Sequence, residues 1–196
     1  LTDAPDYRSV TQSIFIDLFK KGAIVEELRP NLYDPVEGTT IAEAEVERLS
    51  RKTNLVDVRW SVTDDPEHDP VIISTTRPEL ICACGIVLVH PDDSRYQNLV
   101  GKSLDLPLPT EGRSKSVEIR AHPSVNMEFG SGVLMVCSFG DQNDVAVFRE
   151  LGLSPFQAID LEGKITELGA SLSGKPVLEA RKKAIEILES VDKIEN

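Results

Sequence analysis

The stretch Leu55–Ser74 reads LVDVRWSVTDDPEHDPVIIS, and its pattern is the strongest constraint on the fold. Val56, Val58, Trp60 and Val62 alternate with polar residues, as in a strand buried on one face. The loop DDPEHD then separates them from the apolar run VIIS. A β-hairpin is the expected result. The other apolar runs, GIVLVHP, VEIR, VLMVCSF and FQAID, are also short and end in polar or glycine-containing loops, so further short strands are expected. The segments GAIVEELRP and TTIAEAEVE, on either side of the turn-rich NLYDPVEG, read as two weaker strands. The stretch Leu104–Gly112 reads as a Pro- and Gly-rich connection.

Helical spacing is confined to a few places. Apolar residues recur at three and four between Tyr7 and Lys21, with Gly22 as a stop, and again in a closing helix from Pro176 to Val191. Shorter helices are expected at SRYQNLVG and between Asp141 and Glu150. The fold class is therefore α+β and β-rich, barrel-like, with peripheral helices. Residues 1–50 read as a linker helix and entry strands, and residues 51–196 as the core, in one globular unit overall.

Composition narrows the function. Against 21 basic residues stand 33 acidic ones, a net charge of -12, so the chain lacks the basic surface that holds a protein on nucleic acid by phosphate neutralisation. Cys82, Cys84 and Cys137 sit inside apolar runs and read as reduced core residues of a cytoplasmic protein, with Cys82 and Cys84 on one strand. No apolar stretch has the length of a membrane span, and the polar start at Leu1 reads as a trimmed end rather than a signal peptide. His68, His90 and His122 are scattered, so no metal site is expected.

Two polar clusters stand at the exits of apolar strands. Ser74-Thr75-Thr76-Arg77-Pro78-Glu79 brings hydroxyls, a guanidinium and a carboxylate together, a set able to hold a hydroxylated, partly anionic ligand. The same residues also suit a helix start, with Thr75 or Thr76 as cap and Pro78 in the first turn. Gly140-Asp141-Gln142-Asn143-Asp144 places Asp141 and Asp144 on one helix face, where they could bind an ammonium group and orient a water, or simply cap the helix. Between these clusters, Phe129-Gly130-Ser131-Gly132 permits a ligand to approach the backbone closely, though a plain turn needs the same residues.

TTRPE followed at a distance by FGSGVLMVCSFGDQNDV resembles the connective-peptide (CP1) editing domain of the class I valyl-, isoleucyl- and leucyl-tRNA synthetases. YRSVTQSIFIDLFKKG, AEAEVE and GKPVLEARKKAIEILE extend the resemblance over nearly the whole chain. The form GSGVLMVCSFGDQNDV is most similar to archaeal-type valyl enzymes. The His-x-Gly-His and Lys-Met-Ser-Lys-Ser signatures of the ATP-using catalytic domain are absent, so the fragment is not expected to aminoacylate.

The resemblance implies an aminoacyl-tRNA deacylase that removes threonine from the 3′ end of the valine tRNA, with the adenylate as a second candidate substrate. It implies the remaining synthetase domains as partners, no membrane, and no cofactor for editing, ATP being used only by the absent catalytic domain. An isoleucyl-type editing domain and a non-catalytic tRNA-docking insertion are the alternatives. In the family, a hydrophobic pocket built for valine rejects threonine by only about a hundredfold, a value established for valyl enzymes themselves. By the same resemblance Thr75, Thr76, Asp141 and Asp144 carry the catalytic roles. Asp144 would bind the substrate ammonium, and the Thr75-Thr76-Arg77 motif would contact the terminal adenosine and the ester. Phe129 lines the pocket, and Glu79, Gly130, Met135 and Cys137 complete the substrate-binding set. Met135 and Cys137 stand where bacterial-type valyl enzymes carry Lys and Thr.

Overall fold

The computed structural model describes residues 3–26, 30–47, 49–50 and 52–195. They form two compact units, Leu1–Asn31 and Leu32–Asn196.

The first unit is built on helix α1, Pro5–Lys20, which has Pro at its start, Asp6 in its first turn and Lys20 in its last. Gly22 follows at φ 70°, a conformation open to glycine, and ends the helix where the sequence suggests. No residue of α1 is buried, and Val10, Ile14, Phe15 and Phe19 stand exposed.

The second unit opens with an antiparallel pair, β1 (Leu32–Asp34) and β2 (Thr39–Ile41). The first strand therefore lies inside NLYDPVEG rather than in GAIVEELRP. Residues 27–29 of that segment fall outside the described residues, and 22–26 are not strand. The reason is local: Asp34 Oδ1 accepts from Val36 N–H at 2.8 Å, and Gly38 at φ 68° completes a turn that pairs the residues on either side. After β2, Glu43–Glu45 form a 3₁₀ turn rather than more strand.

The hairpin read from alternation is present as β3 (Val56–Trp60) and β4 (Val71–Thr75), antiparallel, with Asp57 opposite Ser74 and Val56 opposite Thr75. Val56, Val58 and Trp60 are buried, as their period of two requires. A four-stranded sheet follows in the order β6-β7-β5-β8, from β5 (Cys84–Val89), β6 (Ser103–Asp105), β7 (Ser116–Ala121) and β8 (Val133–Cys137). β5 runs parallel to β7 and antiparallel to β8. Helix α2 (Gln142–Glu150) leaves β8, and helix α3 (Val177–Ser190) closes the chain.

The chain is thus α+β, in three small sheets; among the described residues no pairing closes a barrel. The sequence reading differs from the structure in three more places. β6, Ser103–Asp105, takes up the start of the stretch read as a connection. FQAID forms only an isolated bridge, Ile159 to Ile165. Cys82 lies in the 3₁₀ helix Pro78–Ala83 and only Cys84 opens a strand, so the pair does not share one. All three cysteines are free and buried. Among the described residues no helix is long and apolar enough to cross a membrane.

β5 has apolar side chains covered on both faces, which explains its unbroken run of Ile86, Val87, Leu88 and Val89. Val87 and Val89 join the main core of Trp60, Ile73, Ile119 and Leu188. Ile86 and Leu88 join Val136, Val147 and Phe148 beneath α2. Gly85 makes that second layer possible: a Cβ there would lie 2.4 Å from Phe148 Cζ. The core thereby sets α2 against the end of β8.

Candidate active site

β4 and β8 end beside one another, and the two clusters of the sequence meet at their exits. After Thr75 the chain turns through Arg77 at φ -133° and ψ 62° into the 3₁₀ helix Pro78–Ala83. Thr75 Oγ1 accepts from Arg77 N–H at 3.0 Å, so this hydroxyl does hold the turn. Thr76 makes no hydrogen bond to the described residues and keeps its hydroxyl free.

The Arg77 guanidinium spans both loops. Its Nη1 donates to Gly140 O at 3.0 Å and its Nε donates to Glu79 Oε1 at 3.3 Å. Glu79 is fully buried and is not on the cavity wall. Its carboxylate receives Arg181 Nε at 3.0 Å and Nη2 at 2.8 Å from α3, a bidentate pair that satisfies a charge otherwise too expensive to bury.

At the other exit, Ser138 takes φ 30°, an unusual value for a non-glycine residue. Its Oγ donates to Ala83 O at 3.2 Å and accepts from Phe156 N–H at 2.7 Å, which holds the bend. Asp141 caps α2 by accepting from Asp144 N–H at 2.9 Å. Asp144 points back instead of outward, and its Oδ2 accepts from Cys137 N–H at 3.0 Å. Gly140 leaves space for this: a Cβ there would lie 2.5 Å from Asp144 Oδ2 and 3.1 Å from Cys137 O.

Burial raises the Asp144 carboxyl to about 7; the Cys137 N–H opposes the shift, nearby Asp141 adds to it and Arg77 reduces it. Asp144 is therefore divided between charged and neutral forms near neutral pH. Cys137 is pushed well above its ordinary value by its Cys84 neighbour and by burial, and remains a neutral thiol.

A cavity of about 210 Å³ lies between the loops, lined by Thr75, Thr76, Arg77, Phe129, Met135, Cys137, Asp141 and Asp144 from the sequence-derived set. Glu79 and Gly130 do not line it. Gly130 packs beside it, where an added Cβ would lie 2.6 Å from Ser74 Oγ. The remaining wall comes from Leu55, Ser74, Leu80, Leu134 and Gly140. Ser74 and Gly140 open the two polar clusters of the sequence, where neither has an assigned role; Leu55, Leu80 and Leu134 carry no sequence signal distinct from core. The cavity falls below the roughly 300–1,000 Å³ of drug-sized sites, a scale suited to an amino-acid moiety. Among the described residues no cluster of three or more His, Cys, Asp or Glu could hold a metal ion.

No protein-family model matches the chain. It is 42% identical over 188 residues to the valine–tRNA ligase of Aeropyrum pernix, covering 96% of this chain and 22% of that protein. The valine–tRNA ligase of Nanoarchaeum equitans is 39% identical over 194 residues, covering 99% of this chain and 25% of its own length. That of Thermoplasma acidophilum is 39% identical over 188 residues, with 96% and 23% covered. The chain thus spans under a third of the length of these relatives. In structure it is similar to the crystal structure of GlLeuRS-CP1, with a TM-score of 0.56 and 10% identity over 72% of this chain and 97% of that one, which establishes a shared fold. The chain is thus homologous to a segment of the archaeal valine–tRNA ligases and shares its fold with a connective-peptide (CP1) domain.

Proposed function

We propose that the domain hydrolyses the ester that joins threonine to the 3′ end of the valine tRNA. The observation that carries this reading is the placement of Asp144: one carboxylate oxygen is fixed by Cys137 N–H, and the residue lines a small cavity shared with Arg77, Thr75, Thr76 and Phe129. The ionised carboxylate is a counter-charge for the substrate's α-ammonium group, held at a fixed distance from the ester. In this reading Thr76 and Arg77 contact the terminal ribose and the ester oxygens. Asp141, at the mouth, can orient a water. Met135 and Cys137 supply apolar wall, and Phe129 a flat surface at the rim.

In the reaction, water adds to the ester carbonyl, the bond to the ribose oxygen breaks, and that oxygen takes up a proton, leaving free threonine and uncharged tRNA. The ester is already activated by its vicinal hydroxyl, so positioning and charge stabilisation suffice without a strong general base or a cofactor. The tRNA acceptor end and the rest of a synthetase are the partners, and the cytoplasm is where such a reaction belongs. With a net charge of -12, this domain would leave most of the grip on tRNA to other domains.

The test is hydrolysis of threonyl- and valyl-tRNA for valine by this chain. Selective release of threonine supports the reading; equal rates on both esters, or none on either at tRNA concentrations that saturate the chain, overturn it.

A further inference from the structure

We propose that Ser74, oriented by Asp57, reads the side-chain hydroxyl of the amino acid to be removed; this specificity role rests on the hydrolase reading above. Ser74 and Asp57 are cross-strand partners in the β3–β4 hairpin, and Ser74 lines the cavity that holds Asp144. Its hydroxyl donates to Asp57 Oδ1 at 2.5 Å. The hydroxyl proton is thereby committed, and Oγ keeps only acceptor capacity. An oxygen of that kind selects a donor. A threonine hydroxyl supplies one; the methyl group that replaces it in valine displaces water from Ser74 and returns no hydrogen bond.

The other polar groups of the wall are less suited to this choice. Thr75 Oγ1 accepts from Arg77 N–H and keeps its own proton to donate, and Asp141, whose Oδ1 accepts from Asp144 N–H, orients the water in the reading above. Asp144 is engaged by the ammonium group in the reading above. Cys137 is a neutral thiol, a weak partner in either direction. Thr76 has a freely rotating hydroxyl that donates or accepts, so it does not discriminate by hydrogen-bond direction. Ser74 also lies directly under the loop that carries Phe129, because Gly130 leaves room for its side chain.

The experiment compares kcat/KM for threonyl- and valyl-tRNA of valine in the wild-type chain, Ser74→Ala, Ser74→Thr, Asp57→Ala and Asp144→Asn. In Ser74→Ala the threonyl rate is expected to fall about tenfold, the scale of one hydrogen bond, while the valyl rate is unchanged, so the selectivity ratio falls tenfold. Asp57→Ala keeps the hydroxyl but frees its proton and should lower the ratio less. Ser74→Thr should restore it. Asp144→Asn should slow both esters alike. A selective wild-type chain whose ratio survives Ser74→Ala overturns the role of Ser74 and leaves the hydrolase reading standing. A wild-type chain inactive on both esters at saturating tRNA overturns both.

Discussion

Gly140 and Asp144 approach so closely that a Cβ on Gly140 would lie 2.5 Å from Asp144 Oδ2. The glycine therefore acts sterically, by leaving the carboxylate room to turn back onto Cys137 N–H. Gly140→Ala should push the carboxylate away from that hydrogen bond and cut deacylation on the order of a hundredfold, the scale of a misplaced catalytic group. The protein should stay folded, because the close contact is with the end of a side chain and the 3.1 Å approach to Cys137 O needs only a small adjustment. Hydrolysis rates and a melting curve on the same sample check both halves.

The raised Asp144 carboxyl, at about 7 against an ordinary 3.8, gives opposite pH trends for activity and stability. Ammonium binding needs the carboxylate, so hydrolysis should rise with pH as the carboxyl ionises through about 7. Folding favours the neutral acid: its stabilising contribution is complete below pH 3.8 and is lost as pH rises through about 7. Melting temperature should accordingly fall by several degrees between pH 5 and 8 relative to Asp144→Asn, which lacks the titration. Parallel melting curves of the two proteins across that range measure it.

Under α2, the contact between Gly85 and Phe148 should be just as restrictive. Gly85→Ala places a Cβ 2.4 Å from the ring, and overpacking of this kind costs about 1–3 kcal/mol. Because Phe148 anchors the helix that carries Asp144, activity should fall with stability. Gly85→Ala combined with Phe148→Leu should recover part of both, as read by urea unfolding and hydrolysis.

Glu79 connects the far helix to the site. It is fully buried and accepts two hydrogen bonds from Arg181 and one from Arg77. Glu79→Gln keeps the shape but removes the charge, and should destabilise the fold by about 3–5 kcal/mol, the cost of breaking a buried pair. Arg181→Ala should act in the same direction. Chemical denaturation of both variants, and of the double variant, would show the non-additivity expected of partners.

Much of this arrangement is legible in the residues. Alternation across Val56, Val58 and Trp60 marks the buried face of β3, and the same strand logic puts the TTRPE and GDQND segments at strand exits. Other features depend on partners far along the chain. The carboxylate of Glu79 reads as a ligand contact because its neighbours are polar, yet Arg181, 102 residues away, claims it. β6 escapes because Ser103–Asp105 is short and leads into prolines, and only its pairing with β7 makes it a strand. Which way Asp144 faces follows from the bend at Ser138 and the space at Gly140, neither of which periodicity reveals.

The most direct measurement is single-turnover hydrolysis of threonyl-tRNA for valine by the wild-type chain and Asp144→Asn at pH 8, with melting curves to verify folding. The expected result is loss of hydrolysis by at least a hundredfold in a variant that melts no lower than wild type. Unchanged hydrolysis in that folded variant would contradict the assignment of Asp144 as the group that binds the substrate's ammonium.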